Sequence, residues 1–92
     1  MELLTEEQIA AELADVLGWR RDGGSIVLIT KHQDFRGSLL YLNAVGYLAE
    51  QAGHHPDAEI SWDTVTLTLS THSAGGLTGK DFALARRISA LS

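Results

Sequence analysis

From Glu59 to His72 apolar and polar residues alternate with period two. That rhythm sends successive side chains to opposite faces of an extended chain, so it suits a half-buried strand and not a helix. Ile60 and Trp62 make one short run, and Val65, Leu67 and Leu69 another. Asp63-Thr64 is the expected two-residue turn between them, although it lacks the favoured glycine. Thr66, Thr68, Ser70 and His72 share the opposite face of the second run. A sheet with one apolar face must be covered, so the flanking segments have to supply the cover.

Those segments read as helices. Thr5 and Gln8 have capping-box spacing, in which each side chain satisfies a backbone N–H at a helix start. Ile9, Leu13, Val16 and Leu17 follow at helical spacing, and Gly18 suits the left-handed residue that ends such a helix. Trp19 to Ile29 predicts two short strands around a turn at Asp22-Gly23-Gly24, with Lys31 to Asp34 more polar. A second helix is expected from Phe35 or Ser38 to Ala52. Its stripe is Tyr41, Val45, Leu48 and Ala52, widened by Leu42 and Ala49, and Gly53 and Pro56 close it. Ser73 to Gly79 reads as a loop. Thr78 and Asp81 make another capping pair, and Phe82, Ala85 and Ile88 carry the last helix. Arg86 and Arg87 sit near its C-terminal end, where the helix dipole favours positive charge. The order α-β-β-α-β-β-α predicts an α+β fold in one domain over residues 1–92. It has a four-stranded antiparallel sheet with helices packed on one face.

Composition removes several function classes. Seven Lys+Arg against 12 Asp+Glu leave a net charge of −5. A chain that negative is not drawn to phosphates, so direct nucleic-acid or anionic-membrane partners are not expected. No cysteine is present, which excludes disulfides, thiolate catalysis and Cys-ligated zinc. No apolar run approaches the ~18 residues of a membrane helix. The opening MELLTEEQ is not a signal peptide, so a cytoplasmic location is expected. In so short a chain the core is small, and self-association is a natural source of added stability.

Histidine is the first place to look for chemistry, because it exchanges a proton near neutral pH. His54 and His55 stand between a helix stop and Pro56, and His72 ends a strand in the expected arrangement. Asp81 opens a helix, and Glu50 lies one helical turn before His54. These are loop and element-end positions, where functional groups concentrate, although exposed histidines without a task are common there. His54, His72, Asp81 and Glu50 could supply metal ligands, but no HExxH or other recognised spacing is present, so no metal is assigned. A Ser-His-Asp triad drawn from Ser70 or Ser73 with His72 and Asp81 lacks a GxSxG elbow. The run GGLTGK at Gly75 to Lys80 fails as a phosphate loop: its first glycine is too close, and Asp81 stands where Ser or Thr must bind magnesium. Trp19 and Trp62 read as core or interface aromatics.

Taken together, Glu50, His54-His55-Pro56, Trp62, His72 and Asp81 at their spacing resemble the signature of the pterin-4a-carbinolamine dehydratases. Thr68-Leu69-Ser70-Thr71-His72, Gly76-Leu77-Thr78 and Gly18-Trp19 resemble that family too. The likeness covers nearly the whole chain. It implies the same α+β fold, and dimers joined sheet edge to sheet edge and often paired into tetramers. Edge pairing would also protect exposed strands.

The resemblance implies removal of water from 4a-hydroxytetrahydropterin to give quinonoid dihydropterin, a step in pterin recycling. Such a carbinolamine collapses when its N5 lone pair expels a protonated 4a-hydroxyl and a base takes the N5 proton. Positioned acid–base groups, worth ~10²–10⁴-fold, are adequate, with no metal, nucleophile or organic cofactor. By resemblance His54 and His72 lie near the hydroxyl, His55 contacts substrate and assists proton transfer, and Asp81 orients or charge-stabilises a histidine. Glu50 is a candidate for the outer shell. The pterin edge would meet backbone around Gly53, His54 and His55 and around Ser70, Thr71, His72 and Ser73. Two departures bear on the pocket wall or subunit contact. Thr30 and His32 stand where many relatives carry aromatics, and Ala58 where some have one. His32 reads as structural or incidental. The family also implies an alternative of another class: a non-catalytic dimerisation or assembly module, of transcriptional-coactivator or assembly-chaperone type.

Overall fold

The computed structural model describes residues 2–91. Helix α1 spans Glu6–Asp15, strands β1 and β2 span Arg20–Asp22 and Ser25–Lys31, and helix α2 spans Phe35–Ala52. Strands β3 (Asp57–Ser61) and β4 (Thr64–Leu69) follow, then a 3₁₀ turn at His72–Ala74 and helix α3 over Gly79–Ser89. The sheet is wholly antiparallel in the order β1-β2-β4-β3. This is the α+β arrangement read from the sequence.

Period two decides which side of the sheet is dry. Val65, Leu67 and Leu69 on the central strand β4 are fully buried. Their partners across the ladder, Ile26 opposite Leu69 and Leu28 opposite Leu67, point the same way. Val45 and Ala49 of α2 and Phe82, Ala85 and Ile88 of α3 complete one core with them. The other face carries Ile29, Glu59, Thr66 and Thr68, none of them buried. Phe82 has no exposed surface. Truncating such a residue to alanine typically costs about 3–5 kcal/mol.

Local signals place the helix starts. The Gln8 amide donates to Thr5 Oγ1, and the Thr5 amide donates back to Gln8 Oε1. Asp34 caps α2 by accepting from the Gly37 amide at 2.7 Å, which places the start at Phe35 and leaves Ser38 as a buried first-turn residue. Trp19 is core, its indole N–H donating to Ser89 Oγ at 3.1 Å.

Five expectations are corrected. The turn between β3 and β4 is Trp62-Asp63, not Asp63-Thr64, because Thr64 pairs with Ser61 and with Lys31. Trp62 turns the chain with φ +53° and is 68% exposed, so it is not a core aromatic. Its carbonyl accepts from the Ser38 hydroxyl, which ties the turn to α2. Leu17 falls off the α1 stripe and is 88% exposed, since the helix ends at Asp15 and Val16 is already extended. On α2 the stripe buries Val45 and Ala49, whereas Ala52 is exposed. Strand β4 stops at Leu69, so Ser70 and His72 do not prolong its polar face. A bridge between Thr71 and Gly76 pinches off a tight loop there, and His72 opens the 3₁₀ turn within it.

Candidate active site

Register assembles the site. Asp57 pairs with Thr68 in antiparallel sense, so the residues before Asp57 run beside those after Thr68. The α2–β3 connection therefore meets the loop leaving β4 at one end of the sheet. Gly53 makes the first contribution: it takes the left-handed φ of +62° that ends α2, a conformation glycine adopts at little cost. The His54 amide then donates to the Ala49 carbonyl, and Pro56 keeps His55 out of the helical region.

At this end a cleft of about 300 Å³ is lined by Gly53, His54, His55, Ser70, Thr71, His72, Ser73 and Lys80. Three imidazoles from two segments thus face one small hollow. Its size is near the lower end for small-molecule sites. Larger clefts, of about 620 Å³ along α2 and about 720 Å³ beside His32, lie elsewhere. The smaller cleft is the better candidate because it gathers the proton-exchanging side chains.

Two of the histidines have carboxylate partners, in contrasting settings. His54 Nε2 lies 2.6 Å from Asp81 Oδ1, with the aspartate fully buried and the imidazole nearly so. His55 Nε2 lies 2.5 Å from Glu50 Oε2, with both side chains largely exposed. Asp81 has further partners: the Thr71 hydroxyl donates to its Oδ2 at 2.8 Å, and the Thr78 amide donates to the same oxygen at 2.9 Å. A buried carboxylate is tolerable only when paired and hydrogen-bonded in this way.

The expected residues divide accordingly. Gly53, His54, His55, Ser70, Thr71, His72 and Ser73 line the cleft. Asp81 lies outside the lining and touches His54, and Glu50 also stands outside it and touches His55, not His54. The Thr71 hydroxyl is turned to Asp81, while the Ser70 hydroxyl donates to the Gly24 carbonyl at 2.8 Å. For Ser70 and Thr71, a substrate contact would thus fall to the backbone. Lys80 was not anticipated. Its position beside Asp81 in the first turn of α3 was the available signal. His32 lies away from the cleft, its ring tilted against that of Tyr41 with centroids 4.6 Å apart and hydrogen-bonded to Thr30 Oγ1. Burial pushes the Tyr41 hydroxyl above its ordinary pKa, with the Thr30 hydroxyl pulling the other way. No group of three His, Cys, Asp or Glu side chains is set to hold a metal among the described residues.

Comparison with known proteins then decides the family. The family model described as pterin 4 alpha carbinolamine dehydratase matches residues 2–91. The chain belongs to the pterin-4a-carbinolamine dehydratase family. A Nocardia farcinica protein, provisionally named a pterin-4-alpha-carbinolamine dehydratase, is 50% identical over 99% of this chain and 96% of its own length. A Roseiflexus castenholzii protein with the same provisional name is 49% identical over 94% of this chain and 92% of its own length. Among solved structures, a transcriptional coactivator/pterin dehydratase from Brucella melitensis superposes with a TM-score of 0.92 at 30% identity, covering 97% of each chain. A pterin dehydratase-like protein identified as a RuBisCO assembly factor in the alpha-carboxysome shares the fold, with a TM-score of 0.64 at 22% identity. It aligns over 79% of this chain and 84% of its own length. The name of the Brucella melitensis chain itself carries two roles, coactivator and dehydratase, whereas the assembly factor shares the fold alone.

Proposed function

We propose that this chain is a 4a-hydroxytetrahydropterin dehydratase that works by histidine acid–base catalysis. The observation that carries the reading is one cleft lined by His54, His55 and His72, with His54 held by the buried Asp81. In the reaction the C4a–O bond breaks as the N5 lone pair forms the C=N bond. A proton delivered to the departing oxygen makes water, and the N5 proton passes to a base. The products are quinonoid dihydropterin and water, so protons balance without any added co-reactant.

Each residue has a task in that scheme. Asp81 occupies one nitrogen of His54, leaving Nδ1 as the other nitrogen for exchange with substrate, and it complements the positive charge that appears on the ring as a proton arrives. His72 and His55, on the facing segments, supply the second proton-transfer group and the substrate contact. Backbone around Gly53 and Thr71 meets the polar edge of the pterin. In this reading the chain serves pterin recycling in the cytoplasm, with a small-molecule substrate and no direct nucleic-acid or membrane partner. No helix among the described residues is long and apolar enough to cross a membrane.

A homodimer formed edge to edge, with pairing into a tetramer, goes with this reading. Leu39, Leu40, Tyr47 and Trp62 are large apolar residues left exposed, more than a small monomer usually shows together. Light scattering checks it, and a monomer at micromolar concentration removes it. The same exposed α2 residues favour a second reading, a module that binds another protein through that helix, as the coactivator name of the Brucella relative suggests.

A stopped-flow assay with 4a-hydroxytetrahydropterin tests the function. Acceleration over buffer is expected, with losses of about 10²–10⁴-fold in His54→Ala and His72→Ala. No acceleration, or variants as fast as the parent, removes the dehydratase reading and leaves the module.

A further inference from the structure

We propose that Thr71 and Thr78 are positioning residues whose hydroxyls, through Asp81, hold His54 in a single proton arrangement; this rests on reading the cleft as an acid–base site. The basis is a count of protons in a closed network. Thr78 and Asp81 have no exposed surface, and Thr71 is 5% exposed. Water therefore has little access with which to make up a missing donor.

The directions of the hydrogen bonds are determined one after another. Asp81 Oδ2 faces two groups, the Thr78 amide and the Thr71 hydroxyl. An amide can only donate, and a carboxylate accepts from it. The Thr71 hydroxyl must also donate, since its lone pair turned toward a carboxylate oxygen at 2.8 Å would be repelled. Thr71 has one hydroxyl proton, so the 2.8 Å contact with Thr78 Oγ1 needs Thr78 as donor. Thr78 Oγ1 in turn accepts from the Lys80 amide at 3.3 Å. The chain thus runs from Lys80 N–H to Thr78, to Thr71, to Asp81. With both donors committed to Oδ2, an ionised Asp81 is acceptor-only, and its remaining oxygen, Oδ1, faces His54 Nε2. The imidazole must then carry a proton on Nε2. A proton on Oδ1 instead would reverse the last bond and leave the ring's proton on Nδ1. Thr71 cannot drift to follow such a change. Its amide donates to the Gly76 carbonyl, and its own carbonyl accepts from the Ala74, Gly75 and Gly76 amides.

This gives the threonines a role beyond helix capping. Thr78 starts α3 and also sends its hydroxyl proton toward the site. Thr71 belongs to the cleft through its backbone and to the charge network through its side chain.

The test compares Thr71→Val, which keeps the shape and removes the donor, with Thr71→Ser, which keeps the hydroxyl. Proton–nitrogen correlation spectra of the histidine rings, recorded without substrate, distinguish the two neutral tautomers. The parent and Thr71→Ser are expected to show His54 protonated on Nε2 alone, and Thr71→Val a mixture. In the pterin assay Thr71→Val should lose about tenfold in kcat, the order of one charge-assisted hydrogen bond, with KM within about twofold and Thr71→Ser restoring the rate. A Thr71→Val spectrum with the Nε2 proton alone, or an unchanged kcat, overturns the proposal even if thermal stability falls. Should Thr71→Val not fold, Thr71→Ala, which also removes the donor, is read on the same criteria. If the parent itself has no dehydratase activity, that reading fails, while the tautomer spectra still decide the network.

Discussion

The molecule holds two histidine–carboxylate pairs of nearly equal length in very different surroundings. His54–Asp81 is 2.6 Å long and sealed, while His55–Glu50 is 2.5 Å long and exposed. Distance alone would rank them equal. The medium separates them, because an exposed pair gains about 0–1 kcal/mol and is screened by salt, whereas a buried carboxylate deprived of its partners loses several kcal/mol. The buried pair is thus part of both the fold and the site. The exposed pair holds a side chain at the rim and contributes little else.

The largest expected effect breaks the sealed pair. Asp81→Ala should lower stability by about 3–5 kcal/mol, since it strands His54 Nε2, the Thr71 hydroxyl and the Thr78 amide together. Urea unfolding measures it, and a loss below 1 kcal/mol would show that burial does not separate the two pairs. Asp81→Asn is the sharper variant. It preserves volume but must turn an NH₂ toward either His54 or the Thr78 amide, so activity should fall even where the fold survives.

Glu50→Gln should do much less. Stability should stay within about 0.5 kcal/mol of the parent. Any rate loss in the pterin assay should shrink as salt rises, because salt already screens the parent pair. A loss as large as that of Asp81→Asn would place Glu50 inside the machinery and erase the contrast.

This division was only partly legible in the sequence. Period two and helical spacing gave the element order because both depend on local burial patterns, and Val65, Leu67 and Leu69 are buried as that pattern demands. The turn at Trp62-Asp63 was misplaced because a tryptophan at φ +53° carries no turn signal of its own. His72 left its strand because a bridge between Thr71 and Gly76, formed only after the chain doubles back, ends the ladder early. The candidate residues were legible as types and spacings, but their pairing was not. Glu50 is one turn from His54 in sequence yet meets His55, and Asp81 reaches His54 across 27 residues. Thr78 and Asp81 read as a capping pair, which they are. Nothing local indicates that the same carboxylate serves a distant imidazole.

Half-buried Tyr41 extends the contrast to a single group. Burial raises its pKa, so the fold favours the neutral phenol. A folded value above the unfolded one means that this contribution is complete below about pH 10 and is lost as pH climbs through the folded value. Tyr41→Phe should therefore flatten the alkaline fall in thermal stability while leaving the neutral range nearly unchanged. An alkaline limb identical to the parent's would detach Tyr41 from that fall.

The smallest effect belongs to the fully exposed end of the scale. Arg21 holds the Glu6 carboxyl below its ordinary pKa, first through their hydrogen bond and then through charge. A folded value below the unfolded one works in the opposite sense to Tyr41. The contribution is present above the unfolded value, near pH 4.3, and disappears as pH falls through the folded value. Glu6→Gln and the parent should therefore differ slightly in melting temperature at pH 7 in low salt. They should converge in strong acid, and also at pH 7 in 1 M salt, where charges are screened within about 3 Å. A difference that survives both treatments would mean that Glu6 acts through packing on α1, and that exposure does not by itself make an ion pair weak in this fold.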